Sequence, residues 1–246
     1  MSDSVIVTGM VLTAMPIGDY DKRITILTVD RGKITAFARG ARRPKSSLVA
    51  CTNPFSFGEF ELYPGKSSYT LVKANIQNYF RELTIDPFAT YMGFYFCEFA
   101  EYCCQENNDE KEMLKLLYQS LRALQSDRFE KSFVRAIYED KALTLIGEGP
   151  NVYRCMECGA EKPLVMFAPD KGGLLCDSCA GKHRGIHISD ATRYTLQYIA
   201  NSSVEKLYSF TVTPEVLEEL IHVITVHKER MIRHRFKSLE VMDALT

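Results

Sequence analysis

The chain has 246 residues, is 46% apolar, contains no Trp and carries a formal net charge of −1. That composition supports a packed core and excludes both a disordered chain and a uniformly basic nucleic-acid binder. No apolar run reaches the roughly 18 residues of a membrane span, and no basic segment precedes the apolar stretch from Val5 to Met15 as a secretory leader would require. The expected setting is therefore the cytosol.

The first eighty residues read as short strands. Val5 to Ala14 is rich in Val, Ile and Thr and breaks at Gly18-Asp19. Ile24 to Val29 and Ile34 to Ala38 flank Asp30-Arg31-Gly32-Lys33, a hairpin turn in which Gly32 supplies a positive φ. A loop covers 39–54. Phe55 to Tyr63 and Tyr69 to Ile76 follow, with Phe55 and Phe57 in one parity and Phe60 and Leu62 in the other. A slip at Gly58 predicts a β-bulge of the kind that bends strands around small barrels. Five strands fit an OB-type barrel, and an SH3-like barrel has a similar pattern.

Helices follow. Asp86-Pro87 starts one that runs to about Glu106, Asp109 opens another to about Gln125, and Asp127 with Glu130 suggests a capping box for a third that stops at Gly147. Ser189 begins a fourth. Thr213-Pro214 begins the last, which is expected to run through a basic stretch to about Val241. The expected organisation is α+β: a barrel domain over 1–82, then a helical domain over 83–246 with a Gly/Cys-rich insertion at about 148–188.

Cys155-x-x-Cys158 and Cys176-x-x-Cys179 stand seventeen residues apart. Each pair can offer two thiolates from one tight turn, and zinc favours four such ligands in a tetrahedron. One structural Zn²⁺ is expected, because four sulfurs leave no open position for chemistry. His183 is a spare donor that the quartet does not need. Cys51, Cys97, Cys103 and Cys104 lack metal spacing and read as core.

Charge is uneven: residues 1–82 carry 11 Lys/Arg against 7 Asp/Glu, and residues 83–150 carry 7 against 12. Arg31, Lys33, Arg39, Arg42, Arg43 and Lys45 form a run without an acid, partly in a loop, as a phosphate track requires. Lys22, Arg23, Lys66 and Lys73 extend it from neighbouring strands and turns. Phe37, Tyr63, Tyr69, Tyr79 and Phe80 are candidates for base stacking, though a barrel also needs large inward residues. Lys228, Arg230, Arg233, Arg235 and Lys237 form a second basic cluster late in the last helix, where cations also suit the helix dipole.

No enzyme signature survives inspection. Pro64-Gly65-Lys66-Ser67 lacks the Gly that a phosphate-binding loop needs at position 60, which is Phe60. His227-Lys228-Glu229 follows the cysteines, where a zinc deaminase would place it before them. The chain reads as a binding protein and not an enzyme.

Taken together the pieces resemble the bacterial recombination mediator RecO family. They are Val11 to Gly18 with Asp21-Lys22-Arg23, the stretch Phe37 to Lys45, Tyr95-Phe96-Cys97-Glu98-Phe99, Leu145-Ile146-Gly147 leading into the first cysteine pair, Gly172-Gly173 before the second, and Phe236-Lys237-Ser238-Leu239. The resemblance implies an N-terminal OB fold and a helical domain with a zinc module. It implies binding to single- and double-stranded DNA, annealing of complementary strands, and cooperation with RecR in loading RecA onto strands covered by single-strand-binding protein. An apolar groove in the helical domain, edged by Arg230, Arg233 and Arg235, is the expected seat for the acidic C-terminal tail of single-strand-binding protein. The competing expectation is a zinc-ribbon OB-fold RNA-binding or transcription factor.

Overall fold

The computed structural model describes residues 4–161 and 163–244. Strands give way to helices near the expected boundary at 82/83, but packing divides the chain after Gln125. One compact unit joins the chain up to Gln125 with the segment from Phe236, and the other is Ser126–Arg235.

In the first unit, β1 (Val5–Ile17), β2 (Asp21–Thr28), β3 (Gly32–Ala38), β4 (Phe57–Pro64) and β5 (Tyr69–Asn78) close a barrel in the order β1-β2-β3-β5-β4. Strand β3 closes on β5 in parallel, at Ala36↔Tyr69 and Phe37↔Thr70. This closure selects the OB-type arrangement that strand periodicity left open. Strand β1 serves both sides of the barrel, pairing with β2 and β4, and bends at an irregularity between Val11 and Thr13. Inward residues such as Val7, Ile24, Ile34, Phe60 and Leu62 are at most 2% exposed and fill the interior. The expected turn at Gly32 forms with φ +63, and a Cβ there would lie 2.1 Å from the Gln105 carbonyl oxygen.

The predicted slip in β4 is present as a register shift between Phe57 and Gly58. Its cause lies outside the strand. Phe57 turns outward to meet Tyr118 edge-on at 4.7 Å, while Phe60 turns in. Phe55 does not belong to β4: it stands at φ +71 before the strand and stacks on Phe94 at 4.9 Å. Phe80, at φ +49 after β5, meets Tyr118 at 5.2 Å. Bulky residues in left-handed backbone are strained, so both ends of the β4–β5 hairpin are held by aromatic contacts with helices.

Those helices are α2 (Pro87–Cys103) and α3 (Lys111–Leu124); α1 (Leu48–Cys51) is a single turn between β3 and β4. Asp86 caps α2 as expected, accepting from the Phe88 and Ala89 N–H groups at 2.9 and 3.2 Å. Buried Tyr95 and Phe99 on α2 receive Phe236 with ring centroids 5.3 Å from each. Glu98 caps the final helix, α8 (Lys237–Asp243), accepting from the N–H groups of Lys237 (3.0 Å) and Ser238 (3.1 Å). Two of the sequence motifs quoted above therefore meet each other.

The second unit packs α4 (Lys131–Leu145), α6 (Asp190–Asn201) and α7 (Pro214–Met231) with the cysteine module, where β6 (Leu164–Ala168), β7 (Gly173–Cys176) and β8 (Ile186–His187) form a sheet ordered β7-β6-β8 and α5 (Asp177–Ala180) is one turn. Two expectations fail here. The capping box at Asp127 does not form, since α4 starts at Lys131 with Glu130 at the cap, and residues 127–129 turn first. The last helix is not continuous to Val241. Helix α7 ends at Met231, Ile232 is extended, and α8 begins at Lys237, because Phe236 and Glu98 fix a new start. The stop at Gly147 does form: Gly147 (φ +82) donates to Thr144 O and Glu148 to Leu143 O, a Schellman closure.

Asp140 on α4 is 1% exposed and its Oδ2 has no hydrogen-bond partner among the described residues. Burial raises its carboxyl to about 7, with Lys141 only partly opposing. A folded value above the unfolded one means the fold holds a proton that the unfolded chain releases. Stability is then complete below about pH 4 and falls as pH rises toward 7. Replacing Asp140 by Asn removes that fall, on the order of 4 kcal/mol at most. Denaturant midpoints at about pH 4 and about pH 8 check this; a gap between the two proteins that does not change with pH would show Asp140 ionised in the fold.

Candidate nucleic-acid interface and metal centre

The four cysteine sulfurs lie within 4.8 Å of one another, with Cys158 Sγ and Cys176 Sγ 3.7 Å apart. A tetrahedron with metal–sulfur bonds of ~2.3 Å has edges of about 3.8 Å, so the cluster has the size of a one-ion site. Backbone geometry produces it. The first knuckle closes with the Gly159 N–H on Cys155 O (2.9 Å) and the Cys155 N–H on Ala160 O (2.7 Å). The second pair sits at the start of α5, with Cys176 as its cap residue. Burial alone would raise the Cys155 thiol, but N–H donors from Cys176, Cys158 and Glu157 outweigh it and bring the group to about 6. Its neighbour Cys179 is pushed up to about 12, chiefly because it donates to Cys176. Cys155 thus favours the thiolate, whereas Cys176 and Cys179 resist ionisation unless a cation supplies the charge. His183 is not a fifth donor; its ring lies between Glu157 (3.4 Å) and Asp170 (3.9 Å). Burial raises the thiols of Cys51, Cys97, Cys103 and Cys104.

The expected basic track is only partly assembled. Arg39, Arg42, Arg43 and Lys45 are exposed in the loop after β3, which is tied to the β1–β2 turn. The Gly40 N–H donates to Asp21 Oδ1 (2.8 Å), the Arg42 N–H to Tyr20 O (2.8 Å) and Arg42 Nη1 to Gly18 O (3.0 Å). Arg23 is exposed next to them on β2, with Nη2 3.1 Å from Met15 Sδ. Lys66 is exposed in the β4–β5 turn.

Two expected residues are employed elsewhere, and a third stands among acids. Lys22 Nζ donates to Thr52 Oγ1 (3.1 Å) and Asn53 Oδ1 (2.9 Å), and burial lowers its pKa. Lys33 Nζ donates to the Glu101 carbonyl oxygen, under the end of α2. Lys73 stands across from Glu61, near Glu59, on an outer face bearing acids. The aromatic candidates also divide. Phe80 is fully buried, Tyr79 lies beneath Arg81, and Tyr69 OH is 3.5 Å from Arg31 Nη1, while Phe37 is half-buried and Tyr63 exposed.

An OB barrel usually receives oligonucleotides on the face of strands 2 and 3. Here α2 closes part of that face. Glu101 Oε1 accepts from Thr13 (3.3 Å) and Thr25 (3.0 Å), so the Thr13–Thr25–Thr35 rung is covered. The next rung, Met15–Arg23–Phe37, remains open beside the basic loop. Neither Glu101 nor Tyr20 is marked by a motif, and no local signal distinguishes them.

Not every residue of the second basic cluster is exposed. Lys228 is buried and its Nζ lies 2.9 Å from Glu139 Oε1, a carboxylate shared with Arg135 at 3.0 Å. Arg230 Nη2 donates to Asp170 O (2.9 Å), whereas Arg233, Arg235 and Lys237 are exposed. Nor do these arginines line the apolar groove found in the second unit. A groove of about 470 Å³ lies between α6 and the start of α7, lined by Tyr194, Tyr198, Phe210, Val212 and Val216. Arg230 sits at the far end of α7, roughly 20 Å along the helix axis.

Barrel, helices and inserted four-thiol module together define the class: an OB-fold protein with a helical unit whose four cysteines could hold a metal ion. Family models agree along nearly the whole chain. Residues 1–80 match the N-terminal and residues 85–240 the C-terminal region of recombination protein O. The DNA repair protein RecO of Acetivibrio thermocellus is 31% identical over 241 residues, covering 97% of this chain and 96% of that protein. Its namesake in Symbiobacterium thermophilum is 30% identical over 245 residues (97% and 96%), and that in Clostridium novyi 29% over 239 (96% and 93%). The chain belongs to the recombination protein O family, a family of DNA repair and recombination. Among the described residues no helix is long and apolar enough to cross a membrane.

Proposed function

We propose that this protein binds single- and double-stranded DNA at the basic end of its barrel, anneals complementary strands, and with RecR helps load RecA onto strands covered by single-strand-binding protein. It acts by binding, not by catalysis. The observation that carries this reading is the exposed set Arg23, Arg39, Arg42, Arg43 and Lys45 beside an open rung of the β2–β3 face. Backbone cations without a base-reading helix suit a protein that holds strands irrespective of sequence. The metal is Zn²⁺ in a structural role, since four thiolates complete its tetrahedron and leave no open position. The acidic tail of single-strand-binding protein is assigned to the groove between α6 and α7, where Arg128, bonded to Ser209 O at 3.4 Å, supplies nearby positive charge.

The direct test is the triple replacement of Arg42, Arg43 and Lys45 by Ala. Affinity for a labelled oligo-dT falls at least about tenfold near 0.1 M salt, and the slope of log K against log salt drops by about 2. Undiminished affinity for both oligo-dT and duplex would sink the interface. Tighter binding to an RNA of the same length would favour an RNA-binding factor instead.

A further inference from the structure

Tyr20 was not among the residues that sequence alone marked for DNA. It occupies the turn between β1 and β2 and is 52% exposed. The basic loop positions it twice: the Arg42 N–H donates to its carbonyl oxygen at 2.8 Å, and the Arg43 guanidinium lies over its ring, 5.1 Å from the centroid. Among the described residues no second ring packs on it. An exposed aromatic normally folds down onto the nearest apolar surface. Here a cation engages the ring while half of the side chain stays open to solvent. The open rung Met15–Arg23–Phe37 lies on the same end of β2, and Glu101 blocks the rung beyond.

We propose that Tyr20 is a base-stacking platform and that it gives this site its preference for single strands; the proposal rests on the DNA-binding reading above. A base within a duplex already has both faces covered, so an exposed ring gains nothing from it. A base in a single strand can leave its neighbours and lie on the ring. Arg43 holds the platform and brings its charge to the phosphate beside the stacked base. The arginines serve both forms of DNA through their phosphates, and Tyr20 serves only the single strand.

Anisotropy titrations with labelled oligo-dT and with a blunt duplex test this. Replacing Tyr20 by Ala weakens oligo-dT binding by about 5- to 150-fold, the range for loss of one stacked base. Duplex binding stays within about twofold, and the salt slope is unchanged because no charge is removed. Tyr20→Phe binds as the parent does. The chain has no Trp, so a Tyr20→Trp variant carries the sole indole, whose emission oligo-dT quenches and duplex does not. Equal weakening toward both DNAs, or an unquenched indole in a protein that binds oligo-dT, would overturn the role of Tyr20. If Tyr20→Ala binds normally while the Arg42/Arg43/Lys45 variant does not, only this inference fails. If that triple variant also binds normally, the DNA-binding reading fails with it.

Discussion

Replacing Cys176 by Ser abolishes metal binding and unfolds the segment 148–188. The three strands there have five, four and two residues, too short for a sheet that stands without further support. The two cysteine turns bring four sulfurs within 4.8 Å of one another, where Cys179 resists ionisation. A bound dication removes the resistance and converts its binding free energy into folding free energy, of order 10 kcal/mol for a structural site of this type. The metal-to-protein ratio should fall from one to near zero, and limited proteolysis should then cut within the module. The stability lost is at least about 3 kcal/mol. Parent protein purified without chelator and found free of metal would contradict this directly.

Replacing Glu139 by Ala costs about 3–5 kcal/mol, the range for removing one partner of a buried ion pair. Glu139 is 3% exposed at its side chain and holds both Lys228 (7%) and Arg135 (27%). The loss takes the carboxylate away from the buried ammonium of Lys228 on α7. Lys228→Met keeps the volume, removes the charge and leaves Glu139 to Arg135, so it should cost less. Chemical denaturation of the two single variants and the double variant measures the coupling. Lys228→Met should also leave DNA affinity unchanged, although sequence alone placed Lys228 in a basic cluster.

That contrast shows where sequence reading stops. Features set by nearest neighbours were legible: the Asp86 cap, the turn at Gly32, the stop at Gly147 and each Cys-x-x-Cys pair all depend on residues a few positions apart. The slip in β4 was legible too, because alternation breaks visibly at Gly58. The fate of individual cations was not. Lys22 is taken up by Thr52 and Asn53, Lys33 by Glu101, and Lys228 by Glu139, partners 30 to 89 residues away. The break between α7 and α8 has no Pro or Gly to announce it; it follows from Phe236 and from Glu98, 139 residues before the N–H it caps. Choosing between two barrel types required the parallel pairing of β3 with β5, which no strand records in its own pattern.

The most direct measurement mixes two complementary strands, each coated with single-strand-binding protein, and follows their annealing by fluorescence transfer. The protein should accelerate annealing without any nucleotide, and the Arg42/Arg43/Lys45→Ala variant should lose that acceleration. Absence of acceleration by folded, metal-loaded protein, or full acceleration by the triple variant, would contradict the assignment of strand annealing to this end of the barrel.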